Sequence, residues 1–240
     1  MTDETADSPL ALVTGANRGI GLAIATALRD SGIRVIAGTR SGEAPDGIDA
    51  VKMDVTSTES VESAFTEIEA QWGPIDIVVA NAGITRDTLL VRMSDDDIES
   101  VLQTNLIGAI RCARRAARGM IRAKRGRIIF VSSVVWALGS AGQVNYAAAK
   151  AGLVGAGRSM ARELGTRGIT VNIVAPGFID TEMTAILEDD QRAAILRSIP
   201  AGRYGAVEEI ADAVAFLAGD QAAYINGAVI PVDGGLGMGH

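Results

Sequence analysis

Short aliphatic runs alternate with longer stretches of helical periodicity along the first third of the chain. Residues 10–13 form such a run and lead into a helical pattern over 20–30; Arg34–Thr39 follows; residues 51–53 precede a second helical pattern over 61–72; residues 75–80 come next. Further runs at 127–132, 169–175 and 229–232 are apolar at nearly every position, as strands covered on both faces must be. This is the rhythm of βαβ units, and it predicts an α/β fold: a doubly wound parallel sheet of about seven strands with helices on both faces. Between strands, Val61, Phe65, Ile68 and Trp72 recur at helical spacing, behind Thr56 and Glu59, which are spaced for a capping box. Ser94 with Asp95, Asp96 and Asp97 suits the positive end of a helix running towards Met120. Helices over 146–164 and 207–218 are expected to stop at Gly165 and Gly219 in left-handed caps.

Composition narrows the function more than the fold. At 240 residues the chain suits one domain over 1–240, with the polar, acidic residues 1–8 as an unstructured tail. That start has no basic, apolar or cleavage region of the secretory kind, which predicts a cytoplasmic protein. No run approaches the roughly 20 apolar residues that span a bilayer, so no membrane role is expected. A net charge of −7 disfavours general nucleic-acid binding. Cys112 is the single cysteine and His240 the single histidine, so neither an internal disulfide nor a zinc cluster is expected, and no metal site is assigned.

Candidate chemistry begins after the first strand. Gly15, Asn17, Arg18, Gly19, Ile20 and Gly21 lie in a turn spaced G-x-x-x-G-x-G that opens into a helix. Glycines let main chain approach a pyrophosphate, and the helix start favours its charge. The second strand ends at Thr39-Arg40 with no carboxylate to take the ribose hydroxyls of NAD. Arg40, aided by Arg18, is instead placed to pair with a 2′-phosphate, which points to NADPH; two solvated arginines are the plainer reading. Further on, Tyr146 and Lys150 stand four apart on one helical face. A neighbouring ammonium is expected to lower a tyrosine's pKa from about 10 and make it a proton donor.

The glycine turn, Asn81-Ala82-Gly83, Asn105, Ser133 and the Tyr146/Lys150 pair occur in one order, and over residues 10–235 they closely resemble the classical short-chain dehydrogenase/reductase family. The resemblance implies a Rossmann-type sheet and four catalytic residues. Ser133 would bind the substrate carbonyl and Tyr146 would protonate its oxygen; Lys150 would hold the nicotinamide ribose, and Asn105 a water that refills the relay. It also implies that Asn81, Ala82 and Gly83 line the adenosine side, that Asp54 and Val55 contact adenine, and that the stretch containing Pro176, Gly177, Ile179 and Thr181 covers the nicotinamide.

Within the family, residues 81–87, 90–93, 142–153 and 174–179 look like the 3-oxoacyl-[acyl-carrier-protein] reductases, and residues 234–240 like the tail of actinobacterial versions. This resemblance implies reduction of a 3-oxoacyl thioester in fatty-acid elongation. It also implies an acyl carrier protein as partner, docking through Lys124 and Arg167, a homotetramer built on the helices beginning near Asp95 and Tyr146, and a substrate lid over 181–205. The lid's Asp189, Asp190 and Arg192 read as helix-surface charges. Trp136 either selects acyl shape or fills core space. Eight bases between Arg111 and Arg127, with no acid among them, are either a paired surface or, at Lys124, an attractor for an acidic carrier. The alternatives are another NADP-linked reductase acting on acetoacetyl-CoA, a sugar, a steroid or a polyol, and, more remotely, a non-catalytic NADPH-binding protein.

Overall fold

The computed structural model describes residues 8–45, 47–181 and 189–238, without the side chains of residues 189 and 191. Most of the expected tail, residues 182–188 of the expected lid, and His240 lie outside the described residues.

Among the described residues, seven strands form one parallel sheet in the order β3-β2-β1-β4-β5-β6-β7. They are β1 (Leu10–Thr14), β2 (Arg34–Thr39), β3 (Asp49–Lys52), β4 (Ile77–Ala80), β5 (Gly126–Val131), β6 (Ile169–Pro176) and β7 (Val229–Val232). Alternate residues of each strand feed opposite faces, as the two-residue pleat requires. Leu10 and Leu12 enter a core with Phe65, Ile68, Cys112, Met120 and Leu153, while Ala11 and Val13 enter a second with Ile24, Leu28, Ile210 and Val214. The first core lies under α2 (Thr58–Gln71), α4 (Ala109–Ala123) and α6 (Val144–Leu164); the second lies under α1 (Gly19–Asp30) and α8 (Val207–Ala218). Burial on both faces is why the central strands β1, β4, β5 and β6 read as unbroken hydrophobic runs, whereas the edge strands β3 and β7 are partly exposed.

Helix ends depart from the sequence expectations in three places. Ser57, not Thr56, caps α2, accepting the Ser60 N–H, whereas Thr56 turns back to the Asp54 carboxylate. A serine cap of this kind contributes about 1 kcal/mol. Neither Gly165 nor Gly219 is left-handed: Gly165 continues α6 into a tight turn with φ −57°, and Gly219 is extended with φ −78°. The left-handed residue after α6 is Gly168, φ +71°, where a Cβ would stand 2.4 Å from the Lys124 carbonyl oxygen. The Ser94 expectation holds as a capping box with Asp97, but the helix towards Met120 is interrupted. Helix α3 (Asp95–Leu102) passes through a π-helical turn, Gln103–Gly108, before α4.

The basic run is largely a paired surface. Arg115 meets Glu62 at 2.8 Å and Glu69 at 2.7 Å, Arg118 meets Glu62 at 3.1 Å and Arg125 meets Asp76 at 2.8 Å, so the carboxylates of α2 and of the β4 entry answer bases of α4 and of the turn that follows it. Cys112 is wholly buried, and desolvation pushes its thiol up to about 12.

Candidate active site

The candidate catalytic and cofactor residues gather on the carboxyl-end side of the sheet, around the point between β1 and β4 where its winding reverses; open α/β sheets bind ligands there. On the β1 side the site is made of main chain. Thr14, the last residue of β1, accepts the N–H groups of Asn81 and Ala82 at its hydroxyl, both at 3.0 Å. The Asn81 amide donates back to the carbonyls of Thr14 (3.0 Å) and Gly15 (3.2 Å). These four bonds weld the glycine turn to the Asn81-Ala82-Gly83 strand exit.

Within the turn, Gly15 has φ +67° and Gly19 φ +55°, and a Cβ at Gly21 would sit 2.2 Å from the Gly15 carbonyl oxygen. Helix α1 starts after Arg18, in extended conformation, with no side-chain cap. Asn17, Arg18 and Gly19 are exposed, and Ile20 is half-buried. Exposed Arg40 follows β2. Asp54 follows β3, and its carboxyl is held below the usual range, first by the Thr56 hydroxyl, then by the Thr56 N–H, with the Arg40 charge adding to both. Val55 is buried against Gly108, and its carbonyl accepts from the Arg111 guanidinium, so of this pair only Asp54 presents a side chain outward.

On the β5 side the site is made of side chains. Ser133 follows β5, and Tyr146 and Lys150 lie one turn apart near the start of α6. The Ser133 hydroxyl accepts from the Val135 N–H at 3.3 Å and stands close enough to the Tyr146 phenol to pull its pKa down. The buried Lys150 Nζ donates to the Val131 carbonyl at 2.8 Å and lies 5.5 Å from the Tyr146 ring centre. Ser132, expected only as a strand-end residue, donates to the Lys150 carbonyl at 3.0 Å.

An ammonium four residues away is expected to lower the tyrosine's pKa, but the net shift in the folded chain is upward. Tyr146 is half-exposed as a residue, yet crowding around its hydroxyl dominates and pushes it up to about 12; Ser133 pulls it down and the Asp87 charge pushes it further up. Burial lowers Lys150 to about 8. The ammonium is bonded to the Val131 carbonyl and faces the ring, and desolvation sets the sign of the phenol's shift.

Asn105 sits buried in the π-helical turn, its Oδ1 accepting the Ile84 N–H at 2.8 Å and its Nδ2 donating to the Ile84 carbonyl at 2.9 Å. Its side chain therefore braces the Asn81-Ala82-Gly83 loop. Pro176 ends β6, and its carbonyl accepts the Val134 N–H at 2.9 Å, joining this exit to Ser133. Gly177 donates to the Val232 carbonyl, Ile179 is buried against Gly205 and Thr181 is half-buried. In the lid region, the guanidinium of Arg192, on α7 (Asp189–Ser198), donates to Asp180 at 3.1 Å and stacks 4.6 Å over Tyr204. Trp136, on the short α5 (Val135–Leu138), packs on the first core, as do Met160 and Val229, which favours its core-filling reading. Lys124 and Arg167 are both exposed, but they precede β5 and β6 and so lie at the opposite edge of the sheet from Ser133.

The sequence reading gave no role to Asn145 or Thr14. Asn145 is 2% exposed at the start of α6 and hydrogen-bonds in three directions. A polar residue beside a catalytic candidate was the available signal, but its partners are carbonyls distant in sequence.

A family model described as enoyl-(acyl carrier protein) reductase matches residues 15–237. The chain belongs to the short-chain dehydrogenase/reductase family of oxidoreductases. Among curated relatives, the 3-oxoacyl-[acyl-carrier-protein] reductase MabA of Mycobacterium avium is 52% identical over 95% of this chain and 90% of its own length. The 3-oxoacyl-[acyl-carrier-protein] reductase FabG of Escherichia coli K12 is 50% identical over 97% of this chain and 98% of its own length.

Proposed function

We propose that this chain reduces 3-oxoacyl-[acyl-carrier-protein] to 3-hydroxyacyl-[acyl-carrier-protein] with NADPH, as a single-domain cytoplasmic homotetramer. The observation that carries the reading is Lys150, buried with its Nζ 5.5 Å from the Tyr146 ring centre and with Ser133 beside the phenol, across the β1/β4 crevice from an uncapped glycine turn. Relatives of about half identity along nearly their whole length, bearing the 3-oxoacyl reductase name, support the substrate.

The residues fit the cofactor. Gly19 has a positive φ and open space where a Cβ would stand, and the start of α1 has no side-chain cap, so a pyrophosphate can approach main-chain N–H groups there. Gly15, Asn17, Arg18, Gly19, Ile20 and Gly21 would hold it, with Arg40 on the 2′-phosphate. Asp54 and the Val55 main chain would face adenine, Asn81, Ala82 and Gly83 the adenosine ribose, and Pro176, Gly177, Ile179 and Thr181 the nicotinamide. NADPH supplies the hydride when bound.

The chain's own part is proton transfer and charge stabilisation. Ser133 and Tyr146 donate to the carbonyl oxygen, and Tyr146, protonated at neutral pH, delivers its proton as alkoxide charge develops. Lys150, with its pKa near 8, stands beneath Tyr146 to stabilise the phenolate left behind and pass on a proton. Asn105 keeps the neighbouring loop in place, and with it the water route that would refill Lys150.

Lys124 and Arg167 remain the proposed carrier contact. Their place at the far edge means a carrier seated there must reach about 20 Å, the length of a six-residue strand, or serve the site of a second copy. The test is NADPH consumption with a 3-oxoacyl thioester on carrier protein, the same thioester on coenzyme A, and sugar, steroid and polyol ketones. Rapid carrier-thioester turnover is expected, weakened by Lys124→Glu with Arg167→Glu only for the carrier-bound substrate. Rapid turnover of a sugar ketone with none of either thioester would overturn the substrate.

A further inference from the structure

Helix α6 begins without the usual device. Its N-cap residue, Gln143, makes no side-chain cap, and the free amide that does the work lies inside the first turn. Asn145 Oδ1 accepts the N–H of Tyr146 itself at 2.8 Å. Its Nδ2 donates both protons, one to the Arg86 carbonyl and one to the Asp97 carbonyl, each at 3.1 Å. Arg86 lies in the loop leaving β4 and Asp97 in the first turn of α3, so three separate segments meet on one buried side chain.

We infer that Asn145 is a positioning residue for Tyr146, fixing the first turn of α6 in depth and rotation against the β4 exit and α3. The inference rests on the reading of Tyr146 as proton donor. Two other bonds cross the same seam, Thr88 N–H to the Gly142 carbonyl at 2.9 Å and Gln143 Nε2 to Asp87 Oδ2 at 2.7 Å. Gln143 and Asp87 meet in exposed surroundings, where water competes for them. Asn145 is 2% exposed, and its loss leaves the Arg86 carbonyl and the Tyr146 N–H to find new partners and the Asp97 carbonyl with only Ser100 and its own helix. Only an amide fits: a carboxylate of the same shape still accepts from Tyr146 but turns oxygen towards two carbonyl oxygens. A shift of about 1 Å in a reacting group costs on the order of 100-fold in rate.

The experiment compares Asn145→Ala, Asn145→Asp and Tyr146→Phe with wild type, measuring kcat, KM for thioester and NADPH, and the fraction of chains that bind NADPH by its fluorescence. Turnover is normalised to that fraction, so misfolded chains do not count. For both Asn145 variants kcat per binding site is expected to fall about 10- to 100-fold while both KM values stay within about threefold. Wild-type kcat per site in either variant overturns the inference, and so does a loss confined to the number of binding sites. If Tyr146→Phe is inactive while the Asn145 variants turn over normally, the positioning role alone fails. If Tyr146→Phe itself turns over normally, the proton-donor reading fails.

Discussion

The two banks of the β1/β4 crevice are built from different materials. On the glycine-turn bank the shape is set by main chain, and the specifying residues act by lacking side chains: Gly15 and Gly21 pack backbone against backbone. On the Ser133 bank, function rests on three side chains, and burial sets the ionisation of two of them, Tyr146 displaced upward to about 12 and Lys150 downward to about 8. The first bank is therefore sensitive to added volume and the second to altered polarity. The structure also joins them: Asn81 links to the glycine turn, the chain runs on through Ile84 held by Asn105, and Arg86 meets Asn145 beside Tyr146.

The largest effect that would sharpen this contrast is Tyr146→Phe, which removes a hydroxyl and almost no volume. Reductase kcat is expected to fall on the order of 1,000-fold with NADPH binding intact, the scale of a general acid; unchanged binding in a fluorescence titration confirms that only the polar bank was touched. Gly21→Ala is the complementary change, adding one methyl where 2.2 Å is available. It is expected to destabilise the fold by about 1–3 kcal/mol and weaken NADPH binding at least about tenfold, read by thermal unfolding and by the same titration. A fully stable Gly21→Ala enzyme with normal affinity would break the main-chain account of that bank.

Arg40→Asp tests the outer end of the cofactor site. Its preference for NADPH over NADH should fall by about 10- to 100-fold, the worth of a charge-assisted contact, in parallel kcat/KM measurements; an unaltered preference removes Arg40 from the site. The mildest effect is one of pH. Lys150 has its folded pKa lowered from 10.5 to about 8, so its positive charge is lost as pH rises through about 8 while Tyr146, near 12, stays protonated. The kcat/KM for reduction should decline by about tenfold per unit above that point, and Lys150→Arg, whose guanidinium does not titrate there, should lack the limb. For stability, between about 8 and 10.5 the unfolded chain holds a proton that folded Lys150 has released, so this residue's contribution rises with pH across that window.

The sheet was legible because burial on both faces leaves a mark in composition that needs no tertiary knowledge, and the candidate residues because their order along the chain resembles one family. Finer features resisted for physical reasons. Thr56 and Ser57 are both competent caps, and the choice between them was decided by Asp54, which takes Thr56 for itself. The π-helical turn at Asn105 is held by a bond to Ile84, across 21 positions of sequence. The sign of the Tyr146 shift depended on desolvation, a property of the packed interior that spacing in a helix cannot express.

Cys112, sealed inside the first core with its thiol pushed up to about 12, has almost no thiolate at physiological pH. Thiol-directed alkylating reagents should therefore leave Cys112 of the folded protein untouched. The practical gain is that a cysteine introduced at any exposed position would be the sole reactive thiol, so a spectroscopic probe or crosslinker could be attached there without first deleting a native one.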